Sequence, residues 1–338
     1  MDSPPRPTQT SYAYVDPNFP NPGGEWDTPV IIYGYTPKFA LAVFAVAWFF
    51  LLLLAHTILT IRHRSWYWLV FPVGLLFEVV GYVARSLSAR QDPYHLLYFI
   101  LNYFFIVTAP VFLAAGIYTV LSGLITRDNN LDHGSSSSSA DGARRKGLHL
   151  RIPPRLLIAF FVVSDVIATI VQIAGAALIG VSYSKRKDPT TANRILLGGL
   201  AYQVFSMGVF VLLTASYMFS RFSASHSSAP SSSSSPHSSE AEPKQAGMTM
   251  TTATTATTTA STAFCIAFII SALAVYLRTC FRLAETAEGL GGKLQTNEVY
   301  FACLEFAPVA LAVVLLAVWH PGKHVGRRIL HVERGTAI

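Results

Sequence analysis

The sequence predicts an all-α integral membrane protein, a bundle of seven transmembrane helices with the N-terminus outside and the C-terminus cytoplasmic. Three observations carry this. Of 338 residues, 52% are hydrophobic and only 13% charged, with a mean hydropathy of +0.43, far from the charge content of a soluble domain. Seven runs are apolar for about the 20 residues a helix needs to cross a hydrocarbon core of about 30 Å. The basic residues fall in short clusters between those runs, such as "RHR" at 62–64, "RRK" at 144–146 and "KRK" at 185–187. That is the pattern of membrane-flanking anchors and not of a nucleic-acid groove, despite the net charge of +7.

The runs lie at 37–61, 66–87, 96–125, 155–181, 195–220, 262–283 and 299–319. Helices are the only reading of apolar runs this long, because lipid offers no partner to an unpaired backbone amide or carbonyl. Residues 1–36 contain "DPNFPNPGGEWDTP" and read as an extracellular, Pro/Asn-rich tail without the short early apolar core of a cleavable signal peptide, so the first run acts as a signal anchor. Residues 37–322 form the membrane domain, and 323–338 a basic cytoplasmic tail. Pro110 lies inside the third run and is a candidate kink. Two loops, 126–154 with "HGSSSSSADGARRKG" and 223–261 with "TMTTATTATTTASTA", are low in complexity and are expected to be disordered.

Orientation follows from lysine and arginine. Leaving out Arg85, Arg278 and Arg282 inside spans, and counting Lys38 and Arg155 at run ends with the adjoining tail and loop, the loops after the first, third, fifth and seventh runs hold 14 basic residues, and the N-terminal tail with the other loops holds 8. The richer side is cytoplasmic.

Within the spans the ionisable residues carry the argument. In "LVFPVGLLFEVVGYVARSL", Glu78 and Arg85 are seven residues apart and share a helix face. Arg278, Arg282 and Glu285 form a stripe at spacings of four and three, and Glu298 and Glu305 again share a face. Asp165 sits near a midplane with Gln172 on the same face, and Gln203 lies in the outer half of the fifth span. An ionisable group at bilayer depth costs about 2.5–3.5 kcal/mol on insertion scales, so it faces a partner, a cavity or a pathway. Near helix ends, Arg85, Arg278, Arg282, Glu285 and Glu298 can alternatively snorkel to the interface, and Gln172 and Gln203 can serve as interhelical glue. In this reading the polar groups occupy the midplane and outer half, and the inner half is apolar.

Several chemistries are set aside. "GLGGKL" lacks the spacing and hydroxyl of a phosphate loop. Lys38, at the very start of the first run, is the only lysine in any span, so none lies at bilayer depth; His320 and His324 are separated by Pro321 and Gly322, and Cys265, Cys280 and Cys303 form no CxxC pair. No nucleophile, base and orienting group occur together. Neither enzyme, metal site nor cofactor is expected.

The chain resembles the fungal RTA-like family, also called lipid-translocating exporters. The resemblance covers residues 33–322 apart from the two low-complexity loops. It rests on "YGYTP" at 33–37, Glu78, Gly81, Tyr82 and Arg85, "AP" at 109–110 with Ala114, Ala115 and Tyr118, and Asp165, Gln172 and Gly175. It continues with "GGLAYQ" at 198–203, Arg278, Arg282, Glu285, Gly289, Glu298, Tyr300 and Glu305, and "HPG" at 320–322. The chain departs from the pattern at "LSGLI" after Tyr118, where the family has glycine and arginine, and at Glu305, where it has aspartate.

The resemblance implies a seven-span translocator of amphipathic lipids: sphingoid long-chain bases, phospholipids or sterol-like toxic amphiphiles. Glu78, Arg85, Asp165, Gln172, Gln203, Arg278, Arg282, Glu285, Glu298, Tyr300 and Glu305 would bind and pass the substrate. A seven-helix receptor or sensor of an extracellular lipid is the alternative. Membrane lipids are the expected partners, with regulatory kinases acting on the Ser/Thr-rich loops, and the plasma membrane is the expected location.

Overall fold

The computed structural model describes residues 14–135, 154–184, 190–227, 248–289 and 292–324. Seven helices in it are long and apolar enough to cross a membrane. They are α1 (Phe39–His63), α2 (Val70–Arg90), α3 (Leu96–Ser135), α4 (Pro154–Ser184), α5 (Thr190–Ser227), α6 (Met248–Glu288) and the composite span Glu298–His324, here α7. No strand element occurs among the described residues; one isolated antiparallel bridge joins Asp27 and His95. The protein is an integral, multi-pass, all-α membrane protein.

Each helix packs on the next in sequence, and α7 returns to α1, which closes the bundle. α3 also touches α6 across the middle. Burial follows this arrangement: 78% of the apolar window of α3 is buried but only 22% of that of α1, so α3 is the central helix and α1 the most lipid-exposed. The outward faces are apolar, with Phe44, Leu51 and Ile58 on α1, Phe160 and Ile170 on α4, and Phe205, Leu212 and Phe219 on α5 all exposed. In lipid such faces need no protein cover.

Two close approaches depend on glycine. At Gly81 a Cβ would lie 2.6 Å from Ile106 Cγ1, so the missing side chain lets α2 seat on α3, and Asn102 Nδ2 donates to the Gly81 carbonyl at 2.9 Å. At Gly175 a Cβ would meet the Leu196 backbone nitrogen at 2.7 Å, so α4 and α5 touch backbone to backbone. Such small-residue contacts replace the hydrophobic drive that lipid removes.

Several helices exceed their predicted spans. α3 runs through Pro110 as one helix and on to Ser135, α5 reaches Ser227, and α6 begins at Met248. Once a span is nucleated, each added residue gains a hydrogen bond without a new nucleation cost, so a hydropathy boundary underestimates a helix. The rest of both low-complexity loops, 136–153 and 228–247, and the tail beyond 324 lie outside the described residues. α7 departs from a regular helix: Phe301–Phe306 is π-helical, and the amide of Ala307 reaches back to the Ala302 carbonyl. Pro308 follows directly. It supplies no amide to the carbonyl four residues earlier and crowds it, so the preceding turn widens. Glu305 sits in that widened turn.

Residues 14–38 fold back over the end of the bundle where α2, α6 and the start of α7 lie. Thr28 N donates to the Tyr94 carbonyl and Leu96 N to the Trp26 carbonyl, both at 3.0 Å. Ile31, Tyr33 and Tyr94 are buried together, with Phe19, Tyr35 and Phe99 against them. The polar tail seen in the sequence is thus, from Tyr14 onward, a cap.

Candidate functional site

Beneath the cap, α2, α6 and α7 bring three arginines and four glutamates together. Arg278 donates Nη2–H to Glu305 Oε1 at 2.5 Å and to the Ile106 carbonyl at 2.6 Å. Arg282 Nη1 donates to Glu285 Oε2 at 2.7 Å. Its Nε lies 3.1 Å from Glu305 Oε2, yet the N–H is angled away, so this contact is one of charge without a hydrogen bond. The Arg282 guanidinium also faces the Tyr103 ring, 5.6 Å from its centroid. Glu305, 2% exposed, therefore stands between two arginines. About one helical turn separates Arg278 from Arg282, which places both on one face of α6, and the widened turn of α7 presents Glu305 to both.

Glu78, also buried, lies within electrostatic reach of Arg278, Arg282 and Glu305. It forms no direct hydrogen bond among the described residues. One turn-pair further along α2, Arg85 is wholly buried and donates to the Tyr35 hydroxyl at 2.5 Å and to Glu298 Oε1 at 3.4 Å. Its guanidinium lies 4.1 Å from the Phe301 ring centroid and under Tyr33 and Tyr35. Burial pushes the Tyr33 phenol up to about 12 and the Tyr35 phenol up as well, so both stay neutral and Glu298 is the counter-charge. Glu298 also accepts from the Lys38 backbone amide at 2.9 Å. Above it, a cleft of about 550 Å³ opens between the cap and residues 293–300, lined by Tyr35, Lys38, Lys293, Asn297, Glu298 and Tyr300 among others.

Asp165 belongs to a second cluster. It accepts from the Tyr118 hydroxyl of α3 at 2.6 Å, and Met207 Sδ of α5 lies 3.2 Å from the same hydroxyl. Neighbouring turns of α4 and α5 are joined by Ser164 to Ser206 at 2.9 Å and Gln172 to Gln203 at 2.8 Å. The sequence groups all the intramembrane acids together; the structure brings Glu78, Glu285, Glu298 and Glu305 to the arginines and holds Asp165, Gln172 and Gln203 apart, because α4 faces α3 and α5.

The sequence reading also leaves out a third polar cluster, at the end of the bundle opposite the cap. His56 of α1 is wholly buried; its Nε2 donates to the Val313 carbonyl at 3.1 Å and its Nδ1 accepts from Trp68 Nε1 at 3.3 Å. His320 packs beside it, with ring centroids 6.0 Å apart. The half of the bundle opposite the cap, read from the sequence as apolar, is therefore not purely so. A neutral imidazole can be buried once both nitrogens are bonded, and the signal was a histidine inside "LLLLAHTILT". The "YGYTP" motif marks Tyr33 and Tyr35, which surround Arg85 with Phe301, without assigning them a role, and Phe301 left no signal, since aromatic residues abound at span ends.

Comparison with known proteins agrees with this architecture. Residues 71–131 and 145–328 match the model of the family described as RTA1 like protein. The chain is 28% identical over 295 residues to the sphingoid long-chain base transporter RSB1 of Saccharomyces cerevisiae, covering 86% of this chain and 73% of the relative. It is 23% identical to Protein RTM1 of the same yeast, over 77% of this chain and 69% of the relative. It is also 23% identical to the yeast protoporphyrin uptake protein 1, over 73% and 66% of the two chains. No solved structure matches. With more than half its length matched to the family model, the chain belongs to the RTA1-like family.

Proposed function

We propose that the protein is a transporter of amphipathic lipids, and that a cationic headgroup of the sphingoid long-chain base type binds at the glutamate-rich cluster. The observation that carries this is Glu78: it is buried in a cluster where four glutamates meet three arginines, and it forms no direct hydrogen bond among the described residues, while Lys38 and Lys293 line the cleft above. A buried surplus carboxylate is costly unless paired. An ammonium headgroup supplies the missing charge while its tail remains in lipid beside the apolar outer faces. Glu298 and Tyr300 both line the cleft, and Glu298 is the carboxylate such a headgroup meets there. The similarity to a sphingoid long-chain base transporter over 86% of the chain supports the same substrate class.

In this reading the capped end faces outward, the C-terminus is cytoplasmic and the protein resides in the plasma membrane. Transport requires no bond-making chemistry, and the protein acts as no enzyme. Kinases acting on the Ser/Thr-rich loops would set its activity. Gln172 and Gln203 hold α4 to α5 and do not meet the headgroup. The receptor alternative draws no support from the relatives, among which a transporter and an uptake protein are named.

The test uses purified protein in phosphatidylcholine vesicles loaded with a fluorescent long-chain base. Wild type releases the base, and Glu298→Gln, at a partly open position, lowers release about tenfold or more with unchanged abundance, the loss of one charge-assisted contact of about 1.5–3 kcal/mol. Equal release by protein-free vesicles would overturn the transport reading; normal release by Glu298→Gln would remove Glu298 from the path.

A further inference from the structure

Asp165 differs from the other buried acids among the described residues, Glu78 and Glu305. No arginine, lysine or histidine and no second acid acts on it among the described residues. Tyr118, from α3, is the one titratable side chain that reaches it; α5 brings Met207, and the Ser164–Ser206 pair closes the neighbouring turn. Asp165 is 2% exposed and its Oδ1 has no hydrogen-bond partner. A structural acid in this setting would be expected to carry a cation, as Glu305 does.

The hydrogen-bond inventory identifies what the cluster can bind. The Tyr118 hydroxyl has one hydrogen and two acceptors in range, Asp165 Oδ2 at 2.6 Å and Met207 Sδ at 3.2 Å. With Asp165 ionised, the hydroxyl donates to the carboxylate, and the sulfur receives nothing. With Asp165 protonated on Oδ2, the acid O–H donates to the Tyr118 oxygen, and the tyrosine O–H turns to Met207. In both states the Asp165 Oδ2–Tyr118 contact is kept without moving a backbone atom, and protonation adds a contact from the α3 hydroxyl to Met207 of α5.

We propose that Asp165, Tyr118 and Met207 form a proton-binding site, separate from the headgroup site, which couples lipid release to a proton gradient. The coupling rests on the transport reading above; the proton site itself does not. A proton from water at one face adds to a lone pair of Asp165 Oδ2, Tyr118 keeps its own proton and changes acceptor, and release to the other face reverses both steps. Because α3 is the central helix and also touches α6, a change in its contacts reaches the helix that carries Arg278 and Arg282.

The first readout is independent of transport: infrared spectra of the reconstituted protein across pH, wild type minus Asp165→Asn. A neutral-carboxyl band that titrates, vanishes in Asp165→Asn and persists in Glu305→Gln is the expected result. Spectra of wild type and Asp165→Asn that coincide at every pH would overturn the site. Tyr118→Phe, which keeps the ring and its packing, should shift the titration midpoint by about one unit, a tenfold change in proton affinity; an unmoved midpoint would overturn the role of the tyrosine. The second readout is release of the fluorescent base under an imposed pH gradient. Acceleration in wild type and none in Asp165→Asn supports coupling, and identical acceleration in both overturns it. If neither protein releases the base while the carboxyl band titrates, the proton site stands and the transport reading fails.

Discussion

Glu305 and Asp165 are equally buried acids in one bundle, yet their surroundings are opposite. Glu305 is gripped by Arg278 and Arg282 and sits in a widened turn of α7; Asp165 has a neutral phenol, a thioether and a free carboxylate oxygen. The first is a charge-compensated junction that ties α6 to α7. The second is an acid without a counter-charge between α3, α4 and α5. The difference shows that an intramembrane carboxylate is not one kind of feature: the charge of its neighbours decides whether it locks helices together or stays open to a proton.

Removing the acid should therefore act differently at the two places. Glu305→Ala strands the buried Arg278 guanidinium and removes one of the two carboxylates at Arg282; it should cost about 3–5 kcal/mol, read as loss of monodisperse protein and a lower unfolding temperature in detergent. Adding Arg278→Met to that variant should recover part of the loss, because Arg282 keeps Glu285; no recovery would show that Glu305 is not held by charge. Asp165→Asn leaves no cation behind and should reduce stability far less.

Packing gives the next largest effect. Gly175→Ala forces a methyl group against the backbone of Leu196, and overpacking of this kind costs about 1–3 kcal/mol. Thermal unfolding should fall accordingly, and crosslinking of cysteines placed on facing turns of α4 and α5 should weaken. An unchanged midpoint would show that these helices separate easily, which would sharpen the contrast with the rigid α6–α7 junction.

Smaller effects should follow at the polar glue and at the rim. The double variant Gln172→Leu/Gln203→Leu replaces one interhelical hydrogen bond by apolar contact, and such bonds average about 0.6 kcal/mol in membrane proteins. Its unfolding temperature should stay close to wild type. Glu285→Gln, an i,i+3 partner of Arg282 near the capped end, should cost at most about 1 kcal/mol. A large loss there would move Glu285 from the rim into the core of the junction.

The sequence by itself determined the class, the number of helices and the identity of the buried acids and arginines. Runs of about twenty apolar residues have one stable form in lipid, and an arginine or glutamate inside such a run is visible because it is expensive there. Spacing along one helix also showed that Arg278, Arg282 and Glu285 share a face, since helical periodicity is local. Only the tertiary structure decided which helices meet. Periodicity says nothing about the neighbour a face will find, so the split between the arginine cluster and Asp165, the tyrosines around Arg85, and the pairing of His56 with Trp68 depended on the closing of the bundle. The same holds for the cap: residues 14–38 carry too few apolar side chains to fold alone, and Ile31 and Tyr33 become buried only against Tyr94 and the exposed end of the helices.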